Sequence, residues 1–499
     1  MAKKTVIVGA GIAGLCAGAY LRMNGYDTEI VEMHTVPGGL CTAWKRSGYT
    51  FDGCIHFLVG SSPGDPYYRL WNEIIDMRKL AFVDFDEYIR VEDGKGGFLR
   101  LSNDVDRLER ELLSAAPEDG ALIRDFAGAV RKAMSFRMPV DKAQETFSPL
   151  DGIKMTFRML PFLSTFRKYG PLSGRELADQ CRNPLLKKAV ERMFVPEMSA
   201  LFLVMTMAWM CKKSAGYPLG GSLPFARLAE DRYLSLGGKI RYRSRVRRIL
   251  VENGRARGVE LENGERITSD AVISAADGYG TVFDMLEGKF ADSAVRKYFS
   301  DFDVFPSYLQ VSAGVKRAFD GVPHHLVFPL GNPLWIDDRT QAIDLAVRFQ
   351  SFDPSLSPRG GCVFTSLITT HNHAYWTNLR EKRMEKYLSE KRRIGEAVVE
   401  AVDRRIGNVK SSLEVLDVST PATVIRYTGN WKGSFEGWIM NKKSGFRGLK
   451  KTLPGLRDFY MAGQWVEPGG GLPSCILSAR NVAQILCKED GKKFVTSSF

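Results

Sequence analysis

One local pattern near the N-terminus constrains this chain more than any other. Thr5-Val6-Ile7-Val8 is the apolar run of a strand buried on both faces. It passes at once into Gly9-Ala10-Gly11-Ile12-Ala13-Gly14, and then into a helical pattern from Leu15 to Asn24. Gly9 permits the tight turn, Gly11 lets the backbone approach a pyrophosphate with no Cβ between, and Gly14 lets the helix lie close on the strand. Ile12 and Ala13 belong to the same cofactor-binding turn, and the N-terminus of the helix that follows faces the phosphates. Gly25 ends the helix, Thr28-Glu29-Ile30-Val31 forms a second strand, and Glu32 follows 18 residues beyond Gly14. There its carboxylate can accept from ribose hydroxyls. Strand, turn, helix, strand and acid in this order predict a dinucleotide site, where a lone glycine turn would not.

The residues after Glu32 distinguish between dinucleotides. Met33-His34-Thr35-Val36-Pro37-Gly38-Gly39-Leu40 is a second glycine-rich loop, able to run beside the diphosphate and ribitol of a longer cofactor. A plain nicotinamide domain does not need it. No second strand-GxGxxG-helix unit occurs, so one dinucleotide is expected to be held permanently.

These motifs and their order resemble the FAD-dependent amine oxidase and phytoene desaturase superfamily, and the resemblance runs across nearly the whole chain. Gly48-Tyr49-Thr50-Phe51-Asp52-Gly53-Cys54-Ile55-His56-Phe57 looks like the next segment of that family, and its Ile-His with an aromatic resembles the retinol saturase branch. Gly216-Tyr217-Pro218-Leu219-Gly220-Gly221-Ser222 resembles the loop before the second FAD segment. Ser351 to Pro358 and Thr420-Pro421-Ala422-Thr423 match desaturase-type stretches. Between Lys239 and Ala276, short strands around Val246, Arg257 to Leu261 and Ala271 to Ser274, separated by turns at Asn253-Gly254 and Asn263-Gly264, read as a β-meander returning to the nucleotide domain. The resemblance sets the backbone of Val246 against the adenine.

At the C-terminal end, Phe459-Tyr460-Met461-Ala462 leads into Gly463-Gln464, and Gly469-Gly470-Gly471-Leu472-Pro473 precedes a helical pattern from Ser474 to Lys488. Small residues let such a backbone touch a planar ring, and a positive helix end stabilises charge on it. The resemblance implies that Gly463, Gln464, Gly470, Gly471 and Leu472 close the FAD site. Many relatives carry an acid where this chain has Gln464, and an amide still donates to the diphosphate or ribitol.

The expected fold class is α/β. A Rossmann-like FAD-binding domain of the glutathione-reductase type is assembled from 1–80, 214–285 and 455–499. An α+β substrate domain, with a mixed or antiparallel sheet and helices, fills 81–213 and 286–454. Within it, Asp86 to Lys213 reads as mostly helical, Ser307 to Thr370 as several strands, and Trp376 to Ile406 as one long charged helix. The length of 499 residues permits two or three such units.

Seventy Lys and Arg against 57 Asp and Glu give a net charge of +13, which favours anionic partners. The basic segments lack the aromatic interleaving or zinc spacing of nucleic-acid modules, so no nucleic-acid partner is expected. Ile153 to Tyr169 mixes Phe, Met and Leu with Lys154, Arg158, Arg167 and Lys168 and has no acid, a composition suited to a membrane interface or to packing on the protein's own core. Eight scattered Cys without a C-x-x-C pair read as free thiols of a cytoplasmic protein, peripheral on the membrane face if this stretch docks there. His371-Asn372-His373 lacks a third ligand at a telling distance, so no metal site is expected.

The resemblance implies an FAD-dependent oxidoreductase acting on carbon–carbon bonds of a hydrophobic, isoprenoid- or carotenoid-like substrate, by desaturation, saturation or cis-trans isomerisation. The Met- and Phe-rich stretch Met193 to Met210 reads either as solid core or as tunnel wall. His56, near the flavin by the same resemblance, is the candidate catalytic residue: an imidazole near its ordinary pKa moves a proton. The electron partner must reach the ring itself, as a quinone, dioxygen, transient NAD(P)H or a redox protein. Two other readings remain: a flavin amine oxidase, although that branch commonly has Gly-Gly-Arg where this chain has Gly38-Gly39-Leu40, and a flavin-bound lipid-binding protein without turnover.

Overall fold

The computed structural model describes residues 2–467 and 469–499. Five parallel strands form the nucleotide-type sheet, in the order Lys239–Arg241, Asp27–Val31, Lys4–Val8, Ala271–Ser274, Phe459–Met461. Strands from the beginning, the middle and the end of the chain therefore lie side by side. Val6, Ile7, Val272, Ile273, Phe459 and Tyr460 are buried, which is why these segments read as unbroken apolar runs. The helix Ile12–Met23 and the C-terminal helix Gly471–Glu489 pack together over this sheet in one apolar cluster.

Strands Val246–Glu252, Arg255–Leu261 and Arg266–Thr268 make an antiparallel meander as a separate three-stranded sheet, whereas Ala271–Ser274, read from the sequence as its last strand, pairs parallel with Lys4–Val8 in the nucleotide-type sheet. The second large layer is a seven-stranded sheet ordered Leu413–Ser419, Ser307–Val315, Cys362–Thr370, Gln341–Phe349, His325–Trp335, Glu87–Glu92, Phe98–Ser102. It is antiparallel except for the parallel pairing of His325–Trp335 with Glu87–Glu92.

Of three further sequence expectations, one is corrected and two are refined. The segment Asp86 to Lys213 is mostly helical, as expected, with two exceptions at its start: Glu87–Glu92 and Phe98–Ser102 close the edge of the seven-stranded sheet, and only that long-range pairing makes them strands. The charged stretch Trp376 to Ile406 is two helices, His373–Lys382 and Met384–Ile406, broken at Arg383, whose backbone is non-helical. The break lets Trp376 and Leu379 on one helix and Tyr387 and Ile394 on the other enter the same core. Finally, the Met- and Phe-rich stretch Met193 to Met210 divides: the helix Ala200–Cys211 is mostly solid core, with nine of its twelve residues buried, while Met193, Phe194 and Val195 before it line a cavity.

Candidate functional site

A cavity of about 820 Å³ lies at the carboxyl ends of the parallel strands, with the seven-stranded sheet on its other side. Val8 and Gly9, Val31 and Glu32, Ala275 and Ala276, and Ala462 and Gly463 line it just past the ends of their strands, the place where such sheets hold ligands.

Two glycine loops meet there. The Gly38 amide donates to the Ala10 carbonyl at 2.8 Å, laying the Gly38-Gly39-Leu40 loop against the first turn. Glu32 is buried; its Oε2 accepts from the Ala10 amide at 2.6 Å and its Oε1 from the His34 amide at 2.7 Å. The carboxylate thus holds the two loops in register as well as standing where a ribose would lie.

Gly11, Ile12, Ala13, Met33, Gly38, Gly39, Leu40, Val246, Gln464, Gly471, Leu472 and His56 also line the cavity. Two predicted residues do not line it. Gly14 faces the strand, where a Cβ would lie 1.9 Å from the Gly9 carbonyl oxygen, so its role is packing, as its place in the motif implies. Gly470 sits behind the lining with φ 65°, and a Cβ there would meet Glu436 at 2.1 Å.

The arrangement fits a flavin dinucleotide on its own geometry. Both helices that point at the cavity, Ile12–Met23 and Gly471–Glu489, begin at a glycine whose helix has no side-chain cap. Their first amides are left to a ligand. Gly463 approaches Ala13 so closely that an added Cβ would stand 3.6 Å from the alanine methyl, bringing the two glycine turns together around one crevice.

The electrostatics show groups that the sequence did not single out. Burial pushes the Glu436 carboxyl up to about 8, and its Oε2 has no hydrogen-bond partner. Burial also raises Asp277 to about 7, although it accepts from the amides of Gly280 at 2.7 Å and Trp431 at 2.8 Å. His56 is held well below the ordinary imidazole range, first by burial and then by the nearby Arg348. The expectation of a near-ordinary pKa is therefore corrected: His56 is a neutral imidazole at physiological pH, because its surroundings disfavour a second positive charge. A signal for Arg348 existed, since the strand Gln341–Phe349 sets two charges, Asp344 and Arg348, among the small apolar cavity-facing positions Ala342 and Ala346. Glu436, between Phe435 and Gly437, is a similar intrusion.

Glu436 makes a prediction about stability. Its folded pKa lies above the unfolded carboxylate value. As pH rises from about 4.5 to about 8, the unfolded chain has released a proton that the folded chain still holds, and stability falls. The flavin-free protein is expected to lose on the order of 4 kcal/mol over that window from this residue. Glu436→Gln should flatten the fall, read as thermal midpoints from pH 5 to 9; an unchanged slope would place the ionised carboxylate in water.

A protein-family model for flavin containing amine oxidoreductases matches residues 12–487. The chain belongs to that family, and its cofactor class is flavin. Among curated relatives, it is 24% identical over 490 residues to prolycopene isomerase 1 from the chloroplast of an Oncidium hybrid cultivar, covering 94% of this chain and 81% of that protein. It is 22% identical over 509 residues to a lycopene-forming phytoene desaturase of Paracoccus sp., covering 98% of each. Among solved structures, an oxidoreductase from Methanosarcina mazei superposes with a TM-score of 0.61 at 19% identity, covering 96% of this chain and 99% of that one, and so shares the fold.

Proposed function

We propose that this protein binds FAD and acts as an oxidoreductase on carbon–carbon bonds of a lipophilic polyene or isoprenoid, desaturating, saturating or isomerising it. The observation that carries the reading is the two-sided cavity. One wall is the glycine-lined crevice of a dinucleotide, and the other is the apolar assembly of Met193, Phe194, Val195, Tyr308, Leu367 and Phe435. The relatives named as carotenoid isomerases and desaturases support the same choice of chemistry. Amine oxidation is disfavoured by the positive Arg348 in the cavity wall, which repels an ammonium group.

A bound flavin supplies two-electron chemistry at its ring. The chain's own part is to orient and to exclude water. The uncapped helix starts at Ile12 and Leu472 would hold the diphosphate and the ring edge, and Glu32 the ribose. The apolar wall lays the substrate against the ring. His56 lines the cavity as a neutral imidazole, able to donate or accept a hydrogen bond beside the reacting part of a bound substrate. His56→Ala is expected to lower turnover about 10²-fold or more with flavin content unchanged; full activity in that variant would remove His56 from the chemistry. The direct test of the reading is anaerobic titration of the yellow protein with NAD(P)H, quinones and candidate polyenes, with mass spectrometry of the products. A change of two hydrogens indicates desaturation or saturation, equal mass with altered retention indicates isomerisation, and reduction by amines alone would overturn it.

Substrates of this class reside in membranes, and the surface carries a suitable patch. Leu150, Ile153, Phe157, Leu160 and Phe446 are exposed, Phe157 by 69%, beside Lys154, Arg158, Arg167 and Lys168. All but Phe446 lie on the helix Pro149–Met159, the turn Leu160–Phe162 and the helix Leu163–Tyr169, a run that Pro161 interrupts without ending, and Phe446 joins them through its ring contact with Phe166 at 6.0 Å. No helix among the described residues is long and apolar enough to cross a membrane. An apolar patch edged by bases fits docking on an anionic lipid surface. Phe157→Ser combined with Ile153→Ser is expected to cut co-sedimentation with phosphatidylglycerol vesicles about tenfold or more; undiminished pelleting would exclude this face.

A further inference from the structure

The strand Gln341–Phe349 runs along the cavity with Ala342, Asp344, Ala346 and Arg348 on the cavity side, the alternation a strand imposes. Gln341 is exposed at one end, and Arg348 lies about 23 Å further along at the usual rise per residue. Arg348 is the only residue of these four that is both charged and without a counter-ion, because Asp344 is paired with Arg192 at 2.8 Å.

Around Arg348 the cavity wall is formed by His56, Tyr88 and His325, and a smaller adjoining void of about 30 Å³ adds His324 and Tyr217. None of these carries a negative charge at neutral pH. Burial and the Arg348 charge hold His56 and His325 neutral, and burial and Arg348 lower His324 to about 3. The Tyr88 hydroxyl donates to the Met193 carbonyl at 2.8 Å. The nearby carboxylates are committed elsewhere. Asp52 accepts from the Ser222 amide at 2.5 Å, the Ser222 hydroxyl at 2.6 Å and the Cys54 amide at 2.9 Å. Asp353 accepts from the Gly220 amide at 2.8 Å and the Ser355 hydroxyl at 2.6 Å. Among the described residues the Arg348 guanidinium makes no hydrogen bond and no ion pair.

The Arg348 guanidinium is half-buried, open to the cavity and without a partner in the protein, and burial lowers it only to about 10, so it stays charged. An uncompensated cation on the cavity wall, with no carboxylate turned toward it, marks the place of an absent anion. We propose that Arg348, at the end of the cavity strand furthest from Gln341, binds the carboxylate of the substrate, so that this protein acts on a lipophilic acid. The inference rests on the reading of the cavity as a lipophilic substrate site and narrows it. The planar guanidinium fork suits a carboxylate held by two parallel bonds. The neutral imidazoles around it donate and accept hydrogen bonds without competing for the charge.

The test uses the flavin-loaded protein under anaerobic conditions with all-trans-retinoic acid and its methyl ester, which share one polyene and differ in charge. Binding is followed by quenching of tryptophan fluorescence. The acid is expected to bind about 10- to 100-fold more tightly than the ester. Arg348→Gln should erase that preference by weakening the acid alone, and Arg348→Lys should retain part of it. Because Arg348→Gln removes an uncompensated charge, the variant is expected to keep its flavin and its thermal midpoint; should it fail to fold, the acid-to-ester ratio of the unsubstituted protein decides alone. Equal affinities for acid and ester, or a preference that survives in Arg348→Gln, would overturn the assignment and leave the lipophilic site standing. A shifted flavin midpoint potential in Arg348→Gln with the acid preference intact would overturn it too, giving the arginine to the cofactor ring. Failure of both ligands to bind would overturn the lipophilic reading itself, and this inference with it.

Discussion

Gly14→Ala should yield a protein that is colourless as purified and melts well below the parent. The added methyl would lie 1.9 Å from the Gly9 carbonyl oxygen and 3.3 Å from the Ala275 Cβ, both on rigid backbone at the heart of the parallel sheet. No rotamer relieves a Cβ, so the helix Ile12–Met23 must lift from the strand Lys4–Val8. Overpacking of this kind costs about 1–3 kcal/mol in stability. Here the same displacement also moves the amides of Ile12 and Ala13 away from the phosphate position, so cofactor retention falls more steeply than stability. The ratio of flavin absorbance to protein absorbance and the thermal midpoint check both. A variant with full flavin content and an unchanged midpoint would show that the helix tolerates a wider spacing.

Glu32→Ala carries the second large effect, and it separates cofactor binding from folding. In the folded chain Glu32 accepts from the amides of Ala10 and His34, so its removal strands one buried and one half-buried donor in addition to losing the proposed ribose acceptor. Hydrogen bonds to a charged acceptor contribute about 1.5–3 kcal/mol each. Losing the ribose contact and loosening both loops together should weaken flavin binding about 100-fold or more. Glu32→Gln keeps one acceptor oxygen and should fall between. The measurement is fluorescence titration of flavin-free protein with FAD. An affinity within threefold of the parent for Glu32→Ala would mean that the carboxylate serves the backbone alone.

Much of this molecule was legible residue by residue. The strand Lys4–Val8, the helix Ile12–Met23 and the strand Asp27–Val31 follow from local chemistry: a β-branched run, a turn that only glycine permits, and an acid at a fixed remove. The C-terminal strand and glycine turn were equally readable, although the helix begins at Gly471 and not at Ser474. The same reading failed where the deciding contact is remote. Glu87–Glu92 and Phe98–Ser102 sit next to helical segments in the chain and become strands only because His325–Trp335 offers them an edge. The break at Arg383 is likewise invisible locally, since it serves the burial of Trp376 and Tyr387 in one core.

The site divides along the same line. Glycines that cradle a phosphate announce themselves because backbone geometry is a property of a few consecutive residues. Arg348, Glu436 and the protonation state of His56 do not. Each depends on which charges and which apolar walls the fold brings within a few ångströms, and a pKa is set by that surrounding and not by sequence neighbours. Sequence alone determined that the chain would build a nucleotide crevice from its two ends, because that crevice is made of main chain. Only the tertiary structure decided what faces the crevice from the opposite sheet, because that wall is made of side chains drawn from strands tens to hundreds of residues away.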